Sequence, residues 1–259
     1  LTVAQYAALG TVTLAAGDTV TLVDTGANLG ALTAVQIAAL EGDGIDVIDA
    51  SDDAITLSLA QVAALGNVAL TGADSVTIAD TGANLAALTP AEITALGALG
   101  GDAFDVTNVV LTLTVDQFNA LGSIALTDSD SVRLVDTGAN IANLTPAQIS
   151  ALPGLGVDAI DATDNSLVLT IAQFDAIGSL GLSPGDGVTL SDTGANLAAL
   201  TPATIGTLAG KAVDVIDASD DALNLTVAQV QALGTVTIAA GDTVTVVDTG
   251  ANIAAMSAV

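Results

Sequence analysis

The chain has 259 residues, with 29 acidic side chains against two basic ones and a formal net charge of −27 at pH 7. Binding to nucleic acid or to an anionic membrane surface needs clustered Lys and Arg, so this charge excludes both as partners. Hydrophobic residues make up 51% of the chain and aromatic residues only 2%, so a core must be filled by Ala, Val, Leu and Ile. Membrane insertion is not expected, because no uninterrupted apolar stretch of about 18 residues occurs.

The pentapeptide Asp-Thr-Gly-Ala-Asn recurs at one fixed spacing. It begins, every 56 residues, at Asp24, Asp80, Asp136, Asp192 and Asp248. A period this regular, without insertion or deletion, is typical of stacked supersecondary units. We therefore predict one continuous solenoid segment over residues 1–259, with four full repeats and a partial fifth, and expect it to be part of a longer chain.

The first predicted element is a short helix that begins at a capping box. In this motif a hydroxyl residue is followed three positions later by Gln or Glu, and each side chain accepts a hydrogen bond from the other's backbone N–H. Eight segments carry the full motif: Thr2–Gln5, Thr33–Gln36, Ser58–Gln61, Thr89–Glu92, Thr114–Gln117, Thr145–Gln148, Thr170–Gln173 and Thr226–Gln229. Thr201–Thr204 is a ninth start without the reciprocal partner. Glycines such as Gly10 and Gly66 are placed to end the helices.

Between the helices the hydrophobic period changes from 3.6 to 2, which predicts strands. One half of the repeat has a strand over Thr19–Val23, and the other half has Ile45–Ile48, a turn at Ser51–Asp53 and a strand at Ile55–Leu57. The sequence leaves open whether that turn closes a hairpin or forms a solenoid corner.

The predicted fold class is an α/β repeat solenoid with parallel β ladders. Each repeat consists of two stacked half-repeats, and each half-repeat is a strand, a turn, a second strand and a short helix. Stacked strands lie about 4.8 Å apart, whereas packed helices need about 8–10 Å. This mismatch predicts curvature or twist, unless the helices of the two half-repeats lie on opposite sides, which is the arrangement that we favour.

Aspartates recur in columns that predict a calcium site. Calcium takes six to eight oxygen ligands, and clustered carboxylates supply them. The candidate ligands are Asp46, Asp49, Asp52 and Asp53, then Asp158, Asp161 and Asp164, then Asp214, Asp217, Asp220 and Asp221. Turn formation is the competing interpretation, because Asp bonds to its own backbone and tolerates tight turns. Asn108 and Val109 replace two of the acids in the second copy, so both interpretations stay open.

Two further columns suggest structural roles. The Asp24 series favours turn formation, with Gly26 suited to a left-handed backbone position. Asn28 and its equivalents predict an asparagine ladder, in which each amide satisfies backbone groups of the next layer.

The chain offers few groups for catalysis, and we predict that it is not an enzyme. It contains no His and no Cys, and its two basic residues, Lys211 and Arg133, lie in different repeats. Serine nucleophiles therefore lack a base. Carboxylate pairs can cleave glycosides, but these acids repeat in every unit, whereas an active site is unique.

The strings DTGANLAALTPAEITAL (residues 80–96) and VDVIDASDDALNLTVAQVQALGTVTI (residues 213–238) resemble repeats of very large secreted bacterial surface proteins of the RTX and biofilm-adhesin type. The resemblance extends over essentially the whole chain. It implies an extracellular, often calcium-associated, stalk or matrix role at the bacterial cell surface. The calcium-binding nonapeptide Gly-Gly-x-Gly-x-Asp of that group does not occur here.

We therefore expect an extracellular structural or adhesive repeat protein. The alternatives are a calcium-responsive adhesin segment and a self-assembling filament subunit. The expected partners are other copies of the chain, bound end to end or laterally, and divalent cations.

Overall fold

The structure is a computed structural model that describes residues 1–15, 17–108, 110–127 and 129–256. These residues form two compact α/β units, Leu1–Val132 and Arg133–Val259. Val109, one of the two replacements noted above, lies outside the described residues. The continuous solenoid over 1–259 stays a prediction.

The first unit alternates short strands with short helices. Its helices are α1 (Val3–Ala7), α2 (Gly26–Gly30), α3 (Ala34–Leu40), α4 (Leu59–Ala63), α5 (Gly82–Ala86), α6 (Pro90–Ala98) and α7 (Val115–Ala120). Its strands are β1 (Thr21–Asp24), β2 (Val47–Ala50), β3 (Ala54–Leu57), β4 (Ala69–Leu70), β5 (Ser75–Asp80), β6 (Gly101–Val106), β7 (Val110–Leu113) and β8 (Ala125–Leu126).

The second unit repeats this order, and the boundary between the units falls within β9. Its strands are β9 (Ser131–Asp136), β10 (Ala159–Ala162), β11 (Ser166–Leu169), β12 (Gly181–Leu182), β13 (Gly187–Asp192), β14 (Val213–Ala218), β15 (Ala222–Leu225), β16 (Thr237–Ile238) and β17 (Thr243–Val246). Its helices are α8 (Gly138–Ala142), α9 (Pro146–Ala151), α10 (Ile171–Ile177), α11 (Gly194–Ala198), α12 (Pro202–Leu208), α13 (Val227–Ala232) and α14 (Gly250–Ala254), with 3-10 turns at Pro153–Leu155 and Ala209–Lys211.

Within each unit the described strand pairings are parallel, which confirms the predicted parallel ladders. The first unit has sheets in the order β1-β2-β4 and β3-β5-β6-β8. In the second unit β10 lies between β9 and β12, a four-stranded sheet has the order β11-β13-β14-β16, and β15 pairs with β17. A half-repeat is thus two strands followed by one or two short helices, and it pairs with neighbouring half-repeats of its own unit.

The turn at residues 51–53 is a corner and not a hairpin. β2 and β3 flank it, but β2 pairs with β1 and β4 while β3 pairs with β5. The last corner residue is left-handed, with φ of 56° at Asp53, 53° at Asn165 and 57° at Asp221. Asp and Asn are the side chains that adopt this conformation most readily, so the corner explains their presence there.

The helices of the two half-repeats contact each other, so the prediction that they lie on opposite sides is wrong. In the first unit α3 contacts α4 and α6 contacts α7. In the second unit α9 contacts α10 and α12 contacts α13. Hydrogen bonds from a buried glutamine column, described below, join the second helix of each pair to the segment just before the first.

The helix starts follow the predicted capping boxes. All eight boxes form. At Thr201 the hydroxyl accepts from the Thr204 N–H and also bonds to the Thr204 hydroxyl. The Asp-Thr-Gly-Ala-Asn segments begin a second set of helices, which are capped by their threonines and were not predicted. Gly10 and Gly66 have left-handed φ of 58° and 57°, as helix-ending glycines do.

Gly26 is not left-handed, so that prediction is wrong. It opens α2, where a Cβ atom would lie 1.7 Å from the carbonyl oxygen of Ala54 in the next half-repeat. Glycine is needed here because another backbone passes close by. The core beneath is aliphatic, with Leu29, Ile55 and Ile78 almost fully buried.

Candidate functional site

The candidate ligands at the corner bind backbone N–H groups of the preceding half-repeat. Asp52 Oδ1 accepts from the Gly26 N–H at 2.7 Å, and Asp164 Oδ1 accepts from the Gly138 N–H at 2.9 Å. Asp220 makes the same bond to Gly194 at 2.8 Å. In the second repeat the bond to Gly82 is made at 2.7 Å by Asn108, which is neutral. An amide oxygen therefore serves as well as a carboxylate, which favours the backbone-binding interpretation at this position.

The aspartates that begin the strand have a similar role. Asp46 Oδ2 accepts from the Val20 N–H at 2.8 Å, and Asp214 Oδ2 accepts from the Val188 N–H at 2.9 Å. The β13–β14 register shifts next to Val188, at the N–H that the Asp214 carboxylate binds. Asp158 occupies the equivalent position in its repeat.

The remaining candidates lie on the outward face of the strands or in the corner. Asp49 lies half-buried on β2. Asp161 forms an ion pair with Arg133 at 3.0 Å, and Asp217 Oδ2 accepts from the Ser191 hydroxyl at 2.8 Å. Asp53 and Asp221 are the left-handed corner residues.

These aspartates do not converge. Among residues 1–15, 17–108, 110–127 and 129–256, no three acidic side chains come close enough together to hold a metal ion. In each repeat the structure places the candidate residues on one strand and its corner. Some of them bind separate backbone N–H groups, as Asp46 and Asp52 do, whereas Asp161 and Asp217 bind side chains. Calcium binding stays a prediction.

The Asp24 column links two half-repeats. Asp24 Oδ2 accepts from the Val3 N–H at 3.0 Å, and its Oδ1 accepts from the Thr25 N–H and the Asn28 side chain at 2.9 and 2.7 Å. These bonds, led by that of Asn28, hold the pKa of Asp24 below its ordinary value. The asparagine ladder is therefore wrong: Asn28 bonds to the aspartate four residues before it in its own half-repeat.

Asp186 belongs to a buried column. Its side chain is 7% exposed, its Oδ2 accepts from the Ala162 N–H at 2.9 Å, and its Oδ1 has no hydrogen-bond partner among the described residues. Burial, reinforced by the charges of Asp161 and Asp164, raises the pKa of Asp186, although the Ala162 N–H and Arg133 oppose this. Asp74 has the same arrangement in the first unit, with its bond to Ala50.

The capping-box glutamines have a second function that the sequence did not predict. The Gln173 amide donates to the carbonyls of Ala142 and Leu144 at 2.7 and 2.8 Å, while its Oε1 accepts from the Thr170 N–H. The side chain is 7% exposed and bonded at both ends. Equivalent bonds are made by Gln61, Gln117 and Gln229. The sequence carries one indication of this second function: Gln recurs at this position in every repeat, although Glu would cap the helix equally well.

Each unit has an open cleft at the same place in the repeat. The cleft of the first unit, about 660 Å³, is bordered by Tyr6 and Asp43, whose side chains are hydrogen-bonded. Burial and this bond raise the pKa of Tyr6 to about 12. In the second unit the cleft is about 350 Å³, and Lys211 Nζ lies 5.6 Å from the centre of the Phe174 ring. The clefts differ in charge and lining, so they do not define a shared ligand.

No protein-family model matches the chain, and no curated protein matches it significantly. In the described part of the chain, no helix has both the length and the apolar character needed to cross a membrane.

Proposed function

We propose that the chain is a structural repeat segment of an extracellular bacterial surface or matrix protein, and that its repeats stack as one α/β solenoid. In this role it serves as a stalk, fibre or matrix element and catalyses no reaction. The observation that carries the proposal is the set of hydrogen bonds that joins each half-repeat to the next. They recur at the same positions in both units, so they serve stacking and not a single site.

Three kinds of side chain make these bonds. The buried glutamine column binds two carbonyls of the previous half-repeat, as Gln173 does. The Asp24 column binds the first N–H of the preceding helix, and the Asp52 column binds the glycine N–H. Separating two half-repeats therefore breaks side-chain bonds as well as the ladder, and each broken bond leaves a polar group unpaired until water reaches it.

The mechanical role can be tested by stretching the whole chain between its two ends in a single-molecule force experiment. Stacked repeats that yield one at a time should lengthen the chain in equal steps of roughly 190 Å, the extended length of 56 residues. Extension without steps at low force would contradict the stalk proposal. Antibody labelling of intact source cells would test the extracellular location.

A calcium-responsive adhesin segment is the second candidate. It is favoured by the column of Asp49, Asp161 and Asp217, which lies half-buried on the outward strand faces of a strongly acidic chain. On this proposal millimolar calcium raises the melting temperature, and equal melts in calcium and in chelator would exclude it.

Electron microscopy of the same samples tests the third candidate, the self-assembling filament. Long filaments of uniform width would favour a polymerising subunit, whereas separate particles of fixed length would favour a stalk segment.

A further inference from the structure

The two basic side chains of the chain have different surroundings. Arg133 forms an ion pair with Asp161 at 3.0 Å, in a chain that has 29 acidic side chains. The Lys211 side chain makes no ion pair and no hydrogen bond with any other described residue, and its Nζ lies 5.6 Å from the centre of the Phe174 ring. Lys211 is exposed and lines the cleft of the second unit. Its ammonium group is therefore available to bind an anionic group.

A side chain of opposite charge lines the same cleft. Asp175 follows Phe174 on α10 and is exposed, and its carboxylate too has no hydrogen bond or ion pair within the described part of the chain. The two charges are thus not paired with each other. Apolar side chains complete the lining, with Ile177 and Leu180 buried and Leu182 half-buried. The cleft therefore combines one positive group, one negative group and an apolar surface.

This combination of charges occurs in a single repeat. At the position of Lys211 the other repeats have Asp43, Leu99 and Leu155. At the position of Asp175 they have Ala7, Ala63, Asn119 and Gln231. The hydrogen bonds that join the half-repeats recur in the other repeats, whereas these two charges do not, so stacking does not require them.

The backbone next to Lys211 is also particular to this repeat. Ala212 has a left-handed φ of 66°, whereas the equivalent residues Gly44, Gly100 and Gly156 have φ of 85°, 95° and 90°. A left-handed alanine is strained, and such strain is concentrated at functional sites. Alanine also has fewer backbone conformations than glycine, so it restricts the position of Lys211 at the cleft.

We propose that the cleft formed by Phe174, Asp175, Leu182 and Lys211 binds a free amino acid with an apolar side chain. The Lys211 ammonium group binds the α-carboxylate of the ligand, the Asp175 carboxylate binds its α-ammonium group, and Leu182 contacts its side chain. An amino acid is neutral overall, so the net charge of −27 does not repel it as it repels an anion. The cleft volume of about 350 Å³ lies within the range of about 300–1,000 Å³ that is usual for small-ligand sites. This site goes beyond the structural role proposed above and does not depend on it.

The test is a titration of the whole chain with L-leucine at physiological salt, followed through the amide chemical shifts of Gly178, Gly210 and Ala212 in NMR spectra. We expect saturation with a Kd on the order of 1 mM, because a small ligand is held by two exposed charges. The matched probes are isocaproate, which lacks the ammonium group, and isoamylamine, which lacks the carboxylate. Each should bind about fivefold or more weakly than leucine, since each loses one ion pair.

Two variants introduce side chains that other repeats carry at these positions, so we expect them to fold. Lys211→Leu introduces the residue of Leu155, and Asp175→Asn introduces that of Asn119. Each should weaken leucine binding by about fivefold or more. Arg133→Thr is the control, because it removes the other basic side chain, which does not line the cleft, and should leave leucine binding unchanged.

Three results would overturn the proposal. Leucine that shifts none of the three amides would show that the cleft does not bind an amino acid. Isocaproate or isoamylamine that binds as tightly as leucine would show a site for one charge alone. Unchanged leucine binding by Lys211→Leu or by Asp175→Asn would show that the corresponding charge does not contact the ligand.

Discussion

The segments Asp192–Asn196 and Asp248–Asn252 have the same sequence in different surroundings. Both fold as a threonine-capped helical turn, with Thr193 and Thr249 accepting from the N–H three residues later. The first is covered by the following half-repeat, and its Gly194 is buried, whereas Gly250 is exposed. The helical turn is thus specified locally, while its burial is specified by the neighbouring half-repeat. Changes at covered and uncovered copies should therefore differ in cost.

The largest difference is expected between Gly194→Ala and Gly250→Ala. At residue 194 the new Cβ would lie 1.8 Å from the Ala222 carbonyl oxygen, so the two half-repeats must separate. We expect the free energy of unfolding of the second unit to fall by about 3 kcal/mol or more. Gly250→Ala should leave it unchanged or slightly higher, since Ala is the better helix former. Urea unfolding followed by circular dichroism measures both, and equal effects would contradict the close approach.

The next difference is expected between Gln173→Ala and Gln5→Ala. Both residues cap a helix, but only Gln173 also binds two carbonyls of the previous half-repeat. Gln173→Ala should cost about 2–3 kcal/mol, because buried carbonyls lose their partners. Gln5→Ala should cost about 0.5–1 kcal/mol, the contribution of a cap. Similar losses in urea unfolding would show that the carbonyl bonds do not stabilise the stack.

A smaller effect separates two changes at Asp164. Asp164→Asn keeps an oxygen for the Gly138 N–H, as Asn108 does for Gly82, and should change stability by less than about 0.5 kcal/mol. Asp164→Ala leaves that N–H unpaired and should cost about 1–2 kcal/mol. If both changes cost the same, the negative charge matters and the calcium interpretation of this column gains support. The melting temperature of the unaltered chain with and without calcium then tests that interpretation.

The smallest effects concern pH, where Asp186 and Asp24 should act in opposite directions. The pKa of Asp186 is higher in the folded chain than the value of about 4 that it has in the unfolded chain. Its contribution to the free energy of unfolding is therefore complete below the unfolded pKa and is lost as the pH rises through the folded pKa. The lowered pKa of Asp24 makes its contribution present above the unfolded pKa and lost as the pH falls through the folded value. Urea unfolding at a series of pH values should show Asp186→Asn flattening the first change and Asp24→Asn the second. If the free energy of unfolding of both variants changed with pH in parallel with that of the unaltered chain, these two assignments would be contradicted.

The sequence predicted the features that short motifs encode. The capping boxes, the left-handed Gly10 and Gly66, the strand pattern and the parallel ladders all follow from residue patterns within a few positions. The helical turn at Gly26 was missed because Asp-Thr-Gly-Ala-Asn also suits a tight turn. The reason for glycine at this position was missed because it is a carbonyl of Ala54, which lies far away in sequence.

The candidate site was predicted as a set of residues but not as an arrangement. Asp46 and Asp52 bind N–H groups 26 residues earlier in the chain, and Gln61 binds a carbonyl 31 residues earlier. These offsets follow from the strand register, which local patterns do not specify. The calcium prediction assumed that aspartates close in sequence surround one ion, whereas Asp46 and Asp52 bind different N–H groups of the preceding half-repeat.

The constant offsets of these bonds have a consequence for how such a gene changes length. Duplication or loss of one whole 56-residue repeat restores every partner at its original offset, so recombination between equivalent positions yields a foldable product. An insertion of any other size inside β2 shifts the pairing of β1 with β2 and moves the Asp52 carboxylate away from Gly26. Length variants among natural relatives should therefore differ by whole repeats, so that the length of the repeat array changes in steps of one repeat.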